Sequence, residues 1–227
     1  MPESRHKVAN EITFASVPKA VVSRLSLYLR ELQHLRAEGN ETISSGELGN
    51  RLGFTDAQVR KDLAYFGQFG YPGIGYRSDE LVRAIRHILG TDIEWRVVIV
   101  GIGNLGQALL GYKGFSRQGF EIVAALDADK KKSGAVIEGV EVHPVEQLEQ
   151  VVKQLKIRLG MVAVPATAAQ LVADQLVAAG IEGIVNFAPV TINLPEHVSQ
   201  VGVDLAIELE QISFALAKRL HAQRRSQ

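Results

Sequence analysis

Residues 97 to 106 read Val97-Val98-Ile99-Val100-Gly101-Ile102-Gly103-Asn104-Leu105-Gly106, an apolar run opening directly into a Gly-x-Gly-x-x-Gly turn. Four consecutive apolar residues suit a strand buried on both faces, and Gln107-Ala108-Leu109-Leu110 continues the turn as a helix. A second apolar run, Ile122 to Leu126, ends in Asp127, twenty-one residues after Gly106. That strand, turn, helix, strand and acid are what a dinucleotide-binding turn requires. Gly101 permits the tight bend, Gly103 lets backbone N–H groups approach a pyrophosphate at a helix N-terminus, Gly106 lets helix and strand pack closely, and Asp127 accepts from adenosine ribose hydroxyls. A carboxylate there repels a 2′-phosphate and favours NAD(H). Lys130 to Lys132 could soften that repulsion or form an ordinary solvated turn.

Working outward, the alternation continues with a helix over 145–156, a strand from Gly160 to Val164, a helix from Thr167 to Ala179, a strand from Gly183 to Phe187 and a last strand near Val201 to Leu205. The expected fold is α/β, a Rossmann-type doubly wound parallel sheet over 91–205. Val164-Pro165 and Phe187-Ala188-Pro189 fall at carboxyl ends of strands, where such sheets bind ligands, and become candidates for the nicotinamide half of the pocket. Proline as a plain strand terminator accounts for them equally well. Beyond the last strand, over 206–227, one helix carries Leu205, Leu209, Ile212 and Leu216 on one face with Ile207 and Phe214 nearly opposite. A helix apolar on both sides is expected between two surfaces, one from a second subunit.

About ninety residues precede the turn, an unusual place for a dinucleotide fingerprint. From Val17 to Glu38, apolar residues Val21, Leu25, Tyr28, Leu29, Leu32 and Leu35 form a helical stripe that stops at Gly39. Ser44 and Glu47 have capping-box spacing for a helix to about Leu52, ended by Gly53. Thr55 and Gln58 repeat the signature for a helix from Asp56 to Phe66, ended by Gly67. Two short helices about a glycine turn make a helix-turn-helix. In the third helix Val59, Leu63 and Phe66 point inward, leaving Lys61, Ala64 and Tyr65 outward with Gln58 and Arg60 on the flanks. Such a face suits base-edge contact by Lys61 and Gln58 and phosphate contact by Arg60 and Tyr65, and it also suits an ordinary solvated surface. Phe69 to Arg77 interleaves aromatics with Gly70, Gly73 and Gly75, a hairpin that could serve as a wing or simply as a surface turn. Ser78 is expected to cap an amphipathic helix ending at Gly90, which connects the winged-helix part, 16–90, to the sheet. Residues 1–15 read as a disordered tail.

Composition narrows the function. Twenty-five basic and twenty-five acidic residues cancel, with 12 and 10 of them in residues 1–90. The absence of cysteine removes disulfides, thiolate metal sites and thiol redox chemistry. The six histidines form no metal-binding pair, and no stretch suggests a signal peptide or a membrane span, so a cytoplasmic protein without a metal is expected. No acid or base is placed to serve a hydride-transfer reaction, and no nucleophile elbow or P-loop occurs, which argues against catalysis. The competing reading is a small NAD-dependent oxidoreductase with a helical N-terminal extension.

Taken together, Pro18 to Leu25, Gln58 to Gly67, Gly75-Tyr76, Gly101 to Gly106 and Asn186-Phe187-Ala188-Pro189 resemble the Rex redox-sensing transcriptional repressors of bacteria. The resemblance spans essentially Pro18 to Leu220. It implies a homodimer with winged-helix domains that bind palindromic double-stranded operator DNA, NADH- and NAD⁺-binding domains, exchanged C-terminal helices, and release from DNA when NADH binds. It assigns base reading to Lys61 and phosphate support to Arg60, to which the helix face adds Gln58 and Tyr65 and the hairpin adds Gly73 and Arg77 as the expected DNA-binding set. It also implies a switch in which Tyr112 exchanges between Asp204 and Arg30. From the residues alone, Tyr112 reads as a surface aromatic and Asp204 as a helix N-cap. One departure is the wing tip, Tyr71-Pro72, where family members often carry a basic residue, leaving more of the affinity to Lys61, Arg60 and Arg77.

Overall fold

The computed structural model describes residues 17–225, with side chains as far as His221, so the expected tail at 1–15 lies outside the described residues. The chain divides into two compact units, meeting at Ile93 and Glu94, three residues beyond the boundary the sequence suggests.

The first unit comprises α1 (Lys19–Ala37), β1 (Thr42–Ile43), α2 (Ser45–Leu52), α3 (Asp56–Ala64), β2 (Tyr76–Arg77) and α4 (Ser78–Ile88). All six apolar residues of the α1 stripe are buried, and they pack with Leu48, Val59, Leu63, Leu81 and Ile85 into one core. Caps set the helix ends. Ser44 Oγ accepts from Glu47 N at 3.1 Å and Thr55 Oγ1 from Gln58 N at 3.1 Å. The returning bond from Glu47 is not formed among the described residues, so only half of the reciprocal cap exists. α3 ends at Ala64, two residues before the expected Phe66, which is nonetheless buried. Ser78 is not a cap. It is the first residue of α4, with Arg77 in the capping position, and its hydroxyl is buried without a partner.

The hairpin at 69–77 also differs from expectation. Tyr71 and Gly75 form a backbone bridge around Gly73, whose φ of 75° requires glycine, but the returning strand β2 pairs antiparallel with β1. A two-residue strand carries no readable period, so Thr42-Ile43 gives no strand signal in the sequence. Gly75, at φ 90°, allows the approach, since a Cβ there would lie 2.5 Å from the Ile43 carbonyl oxygen.

Beneath the helices lies an ion pair that periodicity did not anticipate. Asp62 sits on the inward side of α3, fully buried, and accepts from Arg24 Nε at 2.6 Å, Arg24 Nη2 at 2.8 Å, Tyr28 Oη at 2.8 Å and Gln58 Nε2 at 2.7 Å. Burial alone would push the Asp62 carboxyl up, but the hydrogen bonds from Arg24, Tyr28 and Gln58 outweigh it and hold the group below the usual carboxylate range.

The second unit is a seven-stranded sheet built from β3 (Trp95–Val100), β4 (Phe120–Asp127), β5 (Val136–Ile137), β6 (Val140–Pro144), β7 (Leu159–Val162), β8 (Gly183–Asn186) and β9 (Ser199–Gly202), ordered β5-β6-β4-β3-β7-β8-β9. Only β5 runs antiparallel. The six parallel strands, β6-β4-β3-β7-β8-β9, reproduce the 3-2-1-4-5-6 order of the dinucleotide-binding fold. Helices α5 (Asn104–Leu110), α6 (Gly114–Arg117), α7 (Leu148–Leu155) and α8 (Ala166–Ala178) connect them. Alternation along β3 builds two cores. Val98 and Val100 pack with Leu148, Val152, Val172 and Leu176, while Val97 and Ile99 join Ile102, Leu110 and Met161.

Two expectations are corrected here. The β5–β6 hairpin was missed because its turn is Glu138-Gly139, both at positive φ (52° and 84°), instead of an Asn-Gly or Asp-Gly pair. The last strand ends at Gly202, and Leu205 opens α9 (Leu205–Arg225), because Asp204 Oδ1 accepts from Ala206 N at 2.8 Å and starts a helix there. Along α9 the apolar residues are exposed on both sides, with Leu209 at 68% and Phe214 at 73%.

Asp62→Asn should lower the stability of the first unit by about 1 to 3 kcal/mol, measured by denaturant unfolding, because it removes the charge that the half-buried Arg24 guanidinium and the buried Tyr28 hydroxyl are bonded to. The Asp62 carboxyl is depressed below its ordinary value of 3.8, so its contribution is complete above that pH and is lost as pH falls through the lowered value. The variant should therefore be less acid-sensitive than the parent in a pH titration of stability.

Candidate nucleic-acid and dinucleotide sites

α3 presents the face its sequence suggests, with one exception. Lys61, Ala64 and Tyr65 are exposed, and Lys61 has no hydrogen-bond or ion-pair partner among the described residues. Arg60 is exposed but tied, donating to Asp56 at 2.8 Å and to Ser45 of α2 at 3.1 Å. Gln58 is the exception. Its amide nitrogen turns inward to Asp62, so it braces the helix and is not directed at a base edge. On the hairpin, Gly73 lies at the turn, and the Arg77 guanidinium sits 5.9 Å from the centre of the exposed Tyr71 ring while pairing loosely with Glu80 at 3.6 Å. The wing thus carries a cation beside its tip after all, held by the tyrosine.

The three fingerprint glycines perform three different tasks. Gly101 has φ 98° and packs so closely on the Ala163 carbonyl and the Val164 side chain that a Cβ would overlap them. A Cβ on Gly106 would overlap the Gly101 carbonyl oxygen, so α5 can lie on the turn only as glycine. Gly103 meets nothing within 4 Å and leaves open space above the start of α5. Gly103, Asn104 and Leu105 are exposed there. Ile102 departs from expectation: its side chain is buried and its N–H is given to Asp127 Oδ2 at 2.7 Å, so it supports the turn from beneath and offers no donor to a pyrophosphate.

Asp127 is the hub of this region. Besides Ile102 N, its Oδ2 accepts from Lys132 Nζ at 2.9 Å, and its Oδ1 accepts from Asp129 N at 2.8 Å. Burial pushes the Asp127 carboxyl up, yet the bonds from Asp129, Lys132 and Ile102 prevail and keep it below its ordinary range. Lys132 is therefore no solvated turn residue. Asp129 accepts from Lys131 N at 3.0 Å, organising the 3-10 turn Lys130–Lys132 that carries Lys132 back onto Asp127. Lysine spacing within a run gave no signal for this.

Five further candidates follow strands at the same carboxyl edge of the sheet, whereas Tyr112 lies beside the opening residues of β4. Val164 and Pro165 follow β7, with Val164 against Gly101. Phe187, Ala188 and Pro189 follow β8, where buried Asn186 shapes the loop by donating to Val190 O at 2.7 Å and accepting from Ala188 N at 3.0 Å. Asn186, quoted above only as part of a motif, is the residue that sets this loop. Tyr112, 59% exposed, stacks edge-on against Phe115 at 4.9 Å and lines a cleft with Phe115, Phe120 and Glu138. Asp204 caps α9 and lines a different cleft with Asn186, Pro189 and Ile207. Arg30 lies on the exposed side of α1 in the first unit. A turn with open space over Gly103 and an ionised Asp127 beside it fits a dinucleotide.

Residues 92–190 match the CoA binding domain family, and residues 16–64 match a family described as the putative DNA-binding protein N-terminus. The redox-sensing transcriptional repressor Rex of Pelotomaculum thermopropionicum is 47% identical over 203 residues, covering 89% of this chain and 95% of its own. This chain belongs to the Rex family. The Rex repressor of Streptomyces coelicolor is 45% identical over 198 residues, covering 87% of this chain and 77% of its own. Among solved structures, a protein named RSP in complex with NAD⁺ and operator DNA superposes with a TM-score of 0.86 at 37% identity, covering 93% of this chain and 98% of that one. RSP in complex with NADH gives 0.83 at 36%, over 92% and 98%. A Rex chain is thus a transcriptional repressor, with the dehydrogenase-like sheet in a regulatory setting.

Gly106→Ala and Gly103→Ala should separate two roles of the turn. The first should lower the melting temperature of the unliganded protein by several degrees, since a backbone oxygen must move. The second should leave melting nearly unchanged and weaken dinucleotide binding, measured by nucleotide fluorescence, about tenfold or more.

Proposed function

We propose that this Rex protein binds palindromic double-stranded operator DNA through α3 and the 69–77 wing, and leaves it when NADH occupies the glycine turn, so that repression follows the NADH/NAD⁺ ratio. The observation that carries this reading is the pairing, in one chain, of a recognition helix bearing the unpaired Lys61 with a glycine turn whose Asp127 is held ionised. In it, Lys61 reads base edges, Arg60, Tyr65 and Arg77 meet phosphates, and the Gly73 turn brings the wing backbone close to DNA. Gly101, Gly103 and Gly106 shape the turn, the N–H groups from Gly103 to Leu105 face the pyrophosphate, and Asp127 faces the adenosine ribose. Val164, Pro165, Phe187, Ala188 and Pro189 border the nicotinamide. None of these five titrates, which suits a site that senses a cofactor and catalyses nothing.

The protein works as a homodimer in this proposal. The exposed apolar residues of α9 supply the surface, and Tyr112 of one copy exchanges between Asp204 and Arg30 as the nicotinamide changes redox state. Moving a population from 99:1 to 1:99 requires a differential affinity of about 5.5 kcal/mol, within reach of two linked sites per dimer. A regulator of this kind acts in the cytoplasm, where its DNA lies. Among the described residues no helix is long and apolar enough to cross a membrane.

Fluorescence anisotropy of a labelled operator duplex, titrated separately with NADH and NAD⁺, tests the reading. NADH should release the duplex at concentrations far below those at which NAD⁺ competes, and equal responses would overturn it. Lys61→Ala should cost about 1 to 3 kcal/mol on the specific duplex and relax base preference in the same assay.

A further inference from the structure

The Lys132 ammonium sits where a bare carboxylate would otherwise face the ligand, 2.9 Å from Asp127 Oδ2 and 3.0 Å from the Ile102 carbonyl oxygen. We propose that Lys132 is a specificity-determining residue, reading the adenosine ribose jointly with Asp127 and moderating the site's rejection of a 2′-phosphate. The proposal rests on the reading of the glycine turn as a nicotinamide dinucleotide site.

A count of donors and acceptors carries it. An ionised carboxylate offers about four acceptor positions, two on each oxygen. In Asp127, Oδ2 has given both of its positions to Ile102 N and Lys132 Nζ, and Oδ1 has given one to Asp129 N. One position remains, on Oδ1. The common way of holding a ribose diol, one hydroxyl on each carboxylate oxygen, is therefore closed to this aspartate as it stands. Lys132 has the complementary surplus: of its three N–H donors, two are spent on Asp127 and Ile102, and one is left. Its side chain is 31% exposed, so the third donor is not sealed inside the protein. One hydroxyl can donate to Asp127 Oδ1 while its neighbour accepts from Lys132. The diol is thus matched by a carboxylate and ammonium pair rather than by a carboxylate alone.

Charge follows from the same contacts. A lone ionised Asp127 would present −1 to a 2′-phosphate, whereas the pair at 2.9 Å presents close to zero. Removing the ammonium should then hurt a phosphorylated ribose much more than a free diol, because the former loses a hydrogen bond and gains an uncompensated repulsion.

The test is the ratio of the NADPH and NADH dissociation constants, measured by nucleotide fluorescence on full-length protein for wild type, Lys132→Met, Lys132→Gln and Lys132→Arg, with melting curves recorded for each. Lys132→Met should weaken NADH about tenfold and NADPH about a hundredfold, widening the ratio roughly tenfold. Lys132→Gln, which keeps a donor without charge, should widen the ratio while costing NADH less. Lys132→Arg should hold the ratio within about threefold of wild type. Equal weakening of both nucleotides in the neutral variants would make Lys132 a brace of the turn and overturn the proposal, as would an equal widening in Lys132→Arg. If wild-type protein binds neither nucleotide, the dinucleotide reading itself fails, which the wild-type titration alone reveals.

Discussion

The second unit depends on the contact of one backbone with another at Gly106. α5 rests on the bend that follows β3 closely enough that a methyl group would enter the Gly101 carbonyl, and Gly101 in turn rests on the Ala163 carbonyl after β7. These two contacts fix the height of the turn above the sheet and bring Val164 to its side. They also put Ile102 N within reach of the carboxylate ending β4, so that three strand ends, β3, β4 and β7, share one small assembly. Larger residues at either position would raise the helix and separate the pieces. The open space over Gly103 follows from the same geometry, since the crowding is all on the protein side of the turn.

In the first unit a polar constraint plays the corresponding part. Asp62 receives hydrogen bonds from α1 through Arg24 and Tyr28 and from its own helix through Gln58, so α3 cannot rotate or slide on α1 without losing several charged bonds in a place where water does not replace them. Apolar contacts at Val59, Leu63 and Phe66 hold the helix down but tolerate small shifts. The ion pair supplies the register. The direction in which Lys61 points is thus set from below, by a buried carboxylate and the half-buried side chains that donate to it.

How much of this was legible beforehand depends on the range of the interaction. Glycine stops, serine and threonine caps, the α1 stripe and the fingerprint are local patterns, and the elements they imply are present with boundaries shifted by a few residues. Interactions between distant segments left no such trace. Arg24 and Tyr28 looked like parts of an ordinary amphipathic helix because their partner lies thirty-eight and thirty-four positions away. Thr42-Ile43 became a strand only through pairing with Tyr76-Arg77. Lys132 was one of three adjacent lysines, and a turn capped by Asp129 selected it. Ser78 carried the residue type of a cap, yet the chain enters α4 one position earlier, so the type misled. The polar residues that were misjudged are those whose partners were supplied by folding.

α9 has a bearing on the cell as much as on the fold. A solvated helix carrying this many exposed leucines, isoleucines and a phenylalanine is an unstable arrangement in water, whatever surface eventually covers it. In the proposed homodimer the free energy of the chain contains a concentration term: dilution favours the uncovered form, and abundance favours the covered one. In that case a few newly made copies would be the most exposed to proteolysis, and a larger pool would protect its own members. The amount of protein present would thereby help decide how long each molecule lasts.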